Sequence, residues 1–376
     1  MFPNVLLIAL GIFLSGLPFT CGAEASAPIK LQLKWKHQFQ FAGYYAAVEQ
    51  GYYRAAGLEV TLIEGGPHLD FGGLIASNAV QYTVGLPSML LRRNEGLPVV
   101  ALAAIYQHSP EVMLVREDSG ITNPQQMAGR RLMMAVEDTP GVLAMFRNEG
   151  LPDGAIKRIP YDFNLERLIN REIDGIGAYI TDEPLYFKSR GVEVRAIRPQ
   201  TYGVDFYGDC LFTSEQELIQ HPEQVKAFVD ASLKGWQYAM HHVDEMVDVI
   251  VQRYHPGKSR EDLRYEAARM AELMFPDLIE AGHMNTGRWK HIADTYVRLG
   301  MLKPDYSLEG FIYDRNPPHD PSWARWTIGG VALFAIGLGS VTVYLMRMTR
   351  RIARAEHEAQ EARVVLQSVL DAIPIG

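Results

Sequence analysis

The sequence predicts an α/β fold of two lobes, followed by one transmembrane helix and a coiled-coil helix. Strand patterns alternate with helix patterns over most of the chain, which is typical of mostly parallel sheets covered by helices on both faces. One long apolar run without charge follows near the C-terminus, and apolar residues at alternating spacings of three and four continue beyond it. The 376 residues allow two domains of ordinary size.

The first lobe is expected at about residues 29–115 and 206–310. Its first part alternates between the two-residue period of strands and the spacing of amphipathic helices. The expected strands are Ile29–Trp35, Leu58–Ile63, Val80–Leu86, Val99–Tyr106 and Glu111–Arg116, and the expected helices are Phe41–Gln50, Leu69–Asn78 and one opened by Pro87 and Ser88. From Pro222 onward the pattern is mainly helical, and Ser259 with Asp262 predicts a capping box.

The second lobe is expected at about residues 116–205, where the same alternation continues. The expected strands are Arg131–Val136, Ala155–Pro160, Gly175–Thr181 and Val192–Arg198, and the expected helices are Gly141–Arg147 and Asn164–Asn170. Ligands of such folds bind where strand ends face helix N-termini. The cleft between the lobes is therefore the candidate site.

The N-terminus has the features of a signal peptide. Val5–Leu17 is almost entirely apolar but short for a membrane span, and small residues follow it. We expect a signal peptide of residues 1–23, with cleavage after Ala23 or Ala25. The mature chain then keeps Cys210 as its one cysteine, which cannot form an internal disulfide.

The second apolar run predicts a transmembrane helix at residues 323–346. A cluster of four arginines follows it directly: Arg347, Arg350, Arg351 and Arg354. Because basic residues favour the cytoplasmic side, residues 24–322 are expected in the periplasm, with the C-terminus inside the cell. The alternative is a buried core helix, which a charge-free run beside an arginine cluster disfavours.

Residues 347–370 are expected to form a cytoplasmic coiled-coil signalling helix. The seam residues are Leu345, Met348, Ile352, Ala355, Ala359, Ala362, Leu366 and Val369. This spacing favours a parallel homodimer over a single solvated helix. Residues 366–376 resemble the N-terminal helix of PAS domains in bacterial sensor proteins. That resemblance implies an output domain beyond Gly376, such as a histidine kinase or a diguanylate cyclase.

A motif near the N-terminus of the first lobe resembles a known family. Residues 34–47 read KWKHQFQFAGYYAA, and GYY and GLEV follow at 51–53 and 57–60. They resemble the periplasmic binding proteins for thiamine pyrimidine precursors, which share their fold with yeast-type thiamine pyrimidine synthase. Segments at 174–179, 183–184, 206–209 and 222–228 match as well. The resemblance implies a type II-like periplasmic binding protein fold over residues 29–310 and a small heteroaromatic ligand.

Nine residues are the candidate ligand contacts: Trp35, Gln38, Phe41, Tyr44, Pro87, Ser88, Tyr179, Glu183 and Asp209. Trp35, Phe41 and Tyr44 can offer ring faces to a flat ligand. Glu183 can accept hydrogen bonds from an exocyclic amine, and free N–H groups near Ser88 can meet an acceptor. Alternatively these aromatic residues belong to the core, which is the preferred interpretation for Tyr45, Tyr52 and Tyr53.

The chain departs from this family at several positions. Pro87 stands where the synthase branch carries its lysine, and proline cannot form a Schiff base, so no cofactor and no catalytic residue are expected. Phe41 stands where transporter-type binders carry a ligand-contacting histidine, so the ligand can differ from theirs. Glu137 and Asp138 disfavour a phosphorylated ligand through charge repulsion.

No metal site is expected, because the adjacent His241 and His242 point apart on a helix. The formal net charge of −8 argues against a nucleic-acid partner. The expected partners are a small heteroaromatic ligand, the inner membrane and a second copy of the chain.

Three functions remain open. The leading hypothesis is the extracytoplasmic sensor of a single-pass signal-transduction protein. The second is a membrane-anchored binding component of a pyrimidine transporter. The third is an enzyme of the pyrimidine synthase type in thiamine biosynthesis.

Overall fold

The computed structural model describes residues 28–134, 139–152, 154–315 and 322–371. The chain divides into two compact units, Met1–Arg315 and Asn316–Gly376. The expected signal peptide and the Glu137–Asp138 pair lie outside the described residues, as do residues 372–376 of the expected PAS segment.

Ten strands form two sheets in the first unit. The strands are β1 (Ile29–Gln32), β2 (Val60–Ile63), β3 (Tyr82–Gly85), β4 (Val99–Ala104), β5 (Glu111–Arg116), β6 (Arg131–Met133), β7 (Lys157–Ile159), β8 (Gly175–Tyr179), β9 (Val194–Ile197) and β10 (Cys210–Ser214). The first sheet has the order β2-β1-β3-β10-β4, and the second has the order β7-β6-β8-β5-β9. Each sheet with its helices is one lobe.

Helices cover both sheets. They are α1 (Ala42–Glu49), α2 (Tyr52–Ala55), α3 (Phe71–Ala76), α4 (Met89–Asn94), α5 (Pro140–Asn148), α6 (Glu166–Ile169), α7 (Glu183–Ser189), α8 (Glu215–Gln220), α9 (Pro222–His241), α10 (Val243–Val249), α11 (Arg260–Met274) and α12 (Thr286–Arg298). The last helix, α13 (Ser322–Asp371), belongs to the second unit. The predicted α/β fold is confirmed. The capping box of Ser259 and Asp262 at the start of α11 is also confirmed.

Both sheets are mixed rather than mostly parallel. In the first sheet β1 is parallel to β2 and β3, whereas β10 is antiparallel to β3 and β4. In the second sheet β5 is antiparallel to β8 and β9. Each reversed strand is the first one after the chain crosses between the lobes. The chain therefore enters each sheet from the cleft side, against the direction of its neighbours.

The strand β5 has the predicted bounds, but it belongs to the second lobe and not, as predicted, to the first. The strand Glu111–Arg116 pairs only within the second sheet, so the crossover lies between Ala104 and Glu111 instead of near residue 115. The pattern of six strand residues carries no information about which sheet they join, since their pairing partners lie far away in the sequence.

Two glycines hold α1 directly against α9. A Cβ atom on Gly43 would lie 2.2 Å from the indole ring of Trp236, and one on Gly235 would lie 2.1 Å from the carbonyl oxygen of Gly43. Both contacts are shorter than any side chain permits. The backbones of the two helices therefore approach closely, and Trp236 is fixed over the first turn of α1.

The second unit contains one continuous helix of 50 residues, α13. By length and composition, its segment Trp326–Ser368 is the one described helix that can cross a membrane. The seam residues Met348 and Ile352 are exposed on this helix.

Candidate ligand-binding cleft

The candidate site lies where strand ends of the two sheets meet. In the first sheet Cys210 pairs with Gly85, so Asp209 lies beside the carboxyl end of β3. In the second sheet β8 ends at Tyr179, which pairs with Glu111 at the start of β5. Lys34 and Trp35 follow β1 at the edge of the first sheet, and Tyr161 and Phe163 follow β7 at the edge of the second. This is the location predicted for ligand binding.

A buried ion pair lies at the centre of the cleft. Lys34 Nζ donates to Asp209 Oδ1 at 2.7 Å and to Tyr179 Oη at 2.6 Å. Asp209 is 1% exposed, and its second oxygen accepts a hydrogen bond from Gln40 Nε2 at 2.6 Å. Gln38 donates in turn to Gln40. Lys34 thus joins a carboxylate of the first lobe to a hydroxyl of the second.

An aromatic pair closes the outer part of the cleft. Trp35 of the first lobe stacks on Phe163 of the second, with ring centroids 5.2 Å apart and an interplanar angle of 28°. Tyr161 meets Phe163 edge to face at 4.8 Å. Phe163 has a positive φ of 60° and is 43% exposed. A bulky residue in that conformation is strained, so the backbone at Phe163 is destabilised while it holds the ring against Trp35.

A second lysine also bridges the lobes. Lys258, just before α11, is 2.8 Å from Asp182 of the second lobe and also pairs with Glu266. Glu266 is 2% exposed and accepts a hydrogen bond from the Phe39 amide at 2.7 Å. Burial raises the pKa of Glu266 to about 7, although the charge of Lys258 opposes this. Nearby, Tyr265 Oη donates to the Ile180 carbonyl at 3.3 Å.

Glu183 stabilises the turn into α7. Its carboxyl group accepts a hydrogen bond from the Tyr179 amide at 2.8 Å. Burial, together with the charge of Asp182, raises the pKa of Glu183 to about 8. The raised pKa favours the protonated form, which can donate as well as accept a hydrogen bond.

Of the nine candidate contacts, the structure brings Gln38, Tyr179 and Asp209 together in one hydrogen-bonded network. Trp35 lies at the aromatic pair. Phe41 and Tyr44 are fully buried in the first lobe, where Tyr44 meets Trp236 edge to face. Those two rings therefore do not line the open surface of the cleft.

Pro87 is buried and Ser88 half-buried after β3. The expectation of free amides there is wrong for Met89, whose N–H donates to the Leu86 carbonyl at 3.0 Å in a turn. The core interpretation holds for Tyr45 and Tyr53, which are 0% and 2% exposed.

Sequence reasoning missed five residues of the cleft: Lys34, Gln40, Phe163, Lys258 and Glu266. One signal was available for Glu266, which occupies the same face of α11 as the buried Leu263 and Met270. A carboxylate on the apolar face of a helix requires a partner in the interior, so the pattern indicates that Glu266 is a candidate site residue. Phe163 lies in a loop and gave no comparable signal.

The two-lobed fold with its cleft is the fold of periplasmic binding proteins. The solved alkanesulfonate-binding protein SsuA from Xanthomonas axonopodis pv. citri, bound to MOPS, is similar to this chain with a TM-score of 0.60 and 12% identity, covering 77% of this chain and 99% of that one. Residues 38–246 match the family described as NMT1/THI5 like, and the chain belongs to this family.

Two curated relatives are binding proteins. The formylaminopyrimidine-binding protein of Halalkalibacterium halodurans is 24% identical over 234 residues, covering 61% of this chain and 71% of the relative. The riboflavin-binding protein RibY of Chloroflexus aurantiacus is 26% identical over 237 residues, covering 60% of this chain and 66% of the relative.

Proposed function

We propose that this chain is the extracytoplasmic ligand-binding part of a single-pass membrane signal-transduction protein and that it binds a small heteroaromatic ligand. The observation that carries the proposal is the pairing of aromatic and polar groups across one cleft. Trp35 faces Phe163, and Lys34 faces Tyr179, with one member of each pair on each lobe. A flat ligand that separates the rings gains two aromatic faces and keeps polar groups at its edge.

The relatives support a heteroaromatic ligand. These relatives are named for binding a formylaminopyrimidine and riboflavin, which are both flat nitrogen heterocycles with polar substituents. The cleft of this chain offers matching chemistry, since Gln38, Gln40 and Glu183 can each donate and accept hydrogen bonds at a ring edge.

The sensor role rests on α13. The apolar segment is followed by the arginine cluster, which favours a cytoplasmic C-terminus. At 1.5 Å per residue, the 50 residues of α13 extend roughly 75 Å. That length exceeds the ~30 Å hydrocarbon layer, and the remainder carries the heptad seam. Lobe closure around a ligand would then be passed on by a shift of this helix.

A membrane-anchored binding component of a transporter is the second candidate. The two curated relatives favour it, since both are named as binding proteins. A synthase is disfavoured by Pro87, which has no amine to hold an aldehyde cofactor.

Ligand binding is tested with the full chain in detergent. Thermal unfolding is followed with formylaminopyrimidine, hydroxymethylpyrimidine and riboflavin, each added in excess. A ligand that binds the folded state raises the unfolding temperature. We expect at least one of the three to do so. Unchanged unfolding with all three would overturn the proposed ligand class.

The sensor role is tested by disulfide crosslinking in membranes. Ile352→Cys lies on the heptad seam, and Ala353→Cys, one residue further, is the control off the seam. We expect Ile352→Cys to crosslink two copies and the yield to change when ligand is added. Equal crosslinking of both variants, unaffected by ligand, would favour the transporter component.

A further inference from the structure

Three polar groups beside the cleft have no hydrogen-bond partner within the described part of the chain. They are the hydroxyls of Tyr44 and Tyr106 and the indole N–H of Trp236. Tyr44 and Tyr106 are 0% exposed and Trp236 is 1% exposed. Buried polar groups are nearly always paired in folded proteins, so a cluster of three needs an explanation.

The three groups come from separate elements and converge. Tyr44 lies on α1 and Trp236 on α9, with ring centroids 5.5 Å apart, edge to face. The contact between Gly43 and Gly235 fixes this geometry, because it places the Trp236 ring over α1. Tyr106 follows β4, and its amide donates to the Asp209 carbonyl at 3.2 Å. The three side chains are therefore held by rigid parts of the first lobe.

Asp209 connects the cluster to the cleft. Burial raises the pKa of Tyr44 and of Tyr106 well above the usual value, and the negative charge of Asp209 adds to the rise at both. The same carboxylate binds Lys34 and Gln40 on the cleft side. The unpaired groups thus lie next to the network that faces the ligand.

Two other buried tyrosine hydroxyls without partners differ in position. Tyr82 stacks on Phe228 at 3.7 Å, and Tyr296 meets Phe206 at 5.5 Å. Asp209 does not contribute to the raised pKa of either tyrosine. These two lie away from Asp209, with Glu217 and Gln224 near Tyr82 and Glu111 near Tyr296, and they serve as controls.

We propose that Tyr44, Tyr106 and Trp236 form the inner end of the ligand site and receive a neutral hydrogen-bond acceptor of the ligand. The indole N–H can only donate, so the group it meets must be an acceptor, such as a carbonyl or hydroxyl oxygen or a ring nitrogen. An anionic group is disfavoured, because the Asp209 carboxylate lies beside the cluster. This inference rests on the proposed function and specifies which part of the ligand is recognised.

The test uses conservative variants of the full chain in detergent. Tyr106→Phe and Tyr44→Phe each remove one hydroxyl and keep the ring. We measure affinity by calorimetry for whichever of formylaminopyrimidine, hydroxymethylpyrimidine and riboflavin binds the unmodified chain. We expect affinity to fall about tenfold in each variant. The unfolding temperature without ligand should stay equal or rise, because a buried unpaired hydroxyl is removed.

Tyr82→Phe is the matched control, since it removes an equally buried unpaired hydroxyl away from Asp209. It should change the unfolding temperature in the same direction and leave affinity unaltered. Unchanged affinity in both Tyr44→Phe and Tyr106→Phe would overturn the inference, with ordered water as the partner of these groups, and would leave the proposed function intact. No binding of any probe to the unmodified chain would overturn both.

Discussion

The two sides of the cleft contribute side chains of very different exposure. On the first lobe Asp209, Gln38 and Gln40 are between 1% and 6% exposed and are bonded to one another or to Lys34. On the second lobe Phe163 is 43% exposed and lies in a strained loop. The first lobe is thus a prearranged polar surface, whereas the second supplies a cover. We expect the first lobe to dominate stability and the second to act mainly on ligand affinity.

The largest expected effect comes from the buried ion pair. Lys34→Met leaves the Asp209 carboxylate buried without its cation, since the side chains are only 10% and 2% exposed. Removing one partner of such a pair costs about 3 kcal/mol of unfolding free energy. Denaturant unfolding, followed by tryptophan fluorescence, measures it.

Lys290→Met is the control, because Lys290 pairs with Asp294 at 2.7 Å but is 65% exposed. We expect a loss below about 1 kcal/mol there. Similar losses in both variants would contradict the view that the first lobe is fixed by a buried network.

The second prediction concerns pH. The carboxyl groups of Glu266 and Glu183 have pKa values of about 7 and about 8, raised from 4.5 by burial. Between pH 4.5 and these raised values the folded state holds more protons than the unfolded state, so stability falls as pH rises from about 5 to about 8. Unfolding measured from pH 5 to pH 9 tests it.

Glu266→Gln keeps an acceptor for the Phe39 amide but cannot titrate. Its stability should change less with pH than that of the unmodified chain. An unaltered pH profile in this variant would show that Glu266 is not one of the responsible groups.

The third prediction concerns Phe163, the residue with which the second lobe covers the cleft. Phe163→Ala removes the ring that faces Trp35, and we expect ligand affinity to fall about fivefold to tenfold. The unfolding temperature without ligand should change little, because Phe163 is 43% exposed and lies in a loop. Calorimetry with the binding probe measures the affinity.

Phe275→Ala is a close match, with a positive φ of 53° and 37% exposure, but its ring meets His108 instead of Trp35. It should leave affinity unchanged. Equal effects of the two variants would remove the special role of the aromatic pair.

The smallest expected effect lies at the edge of the contact between the lobes. Tyr265→Phe removes the single hydrogen bond to the Ile180 carbonyl, which is long at 3.3 Å. We expect a change of about 0.5 kcal/mol in unfolding free energy and less than about a twofold change in affinity. A larger change would mean that this contact controls closure.

The sequence predicted the elements whose pattern is local. The bounds of β5 were correct, and α1 was predicted within a residue of each end. The strand β10 was missed, because all five of its residues are buried and show no alternation between polar and apolar. Its antiparallel direction depends on how the chain crosses between the lobes, and the local spacing of apolar residues does not indicate this.

Only part of the candidate site was predicted, because the remaining contacts join residues that are distant in the sequence. Asp209 and Tyr179 were recognised through family-like motifs, but the lysine that joins them lies 145 residues from Tyr179 and 175 residues from Asp209 in the sequence. Glu266 and Phe39 are separated by 227 residues. Such contacts follow from how the sheets are assembled, and a single sequence does not reveal them.

The two lysines that bridge the lobes share one property that bears on how the protein opens. Lys34 and Lys258 each have their most buried carboxylate partner, Asp209 and Glu266, on their own lobe. When the lobes separate, these lysines would therefore lose the Tyr179 hydroxyl and the more exposed Asp182 to water, and each would keep its buried carboxylate partner. The closed form is then held by interactions of modest strength. A ligand that contributes a few kcal/mol would be enough to set the balance between open and closed populations.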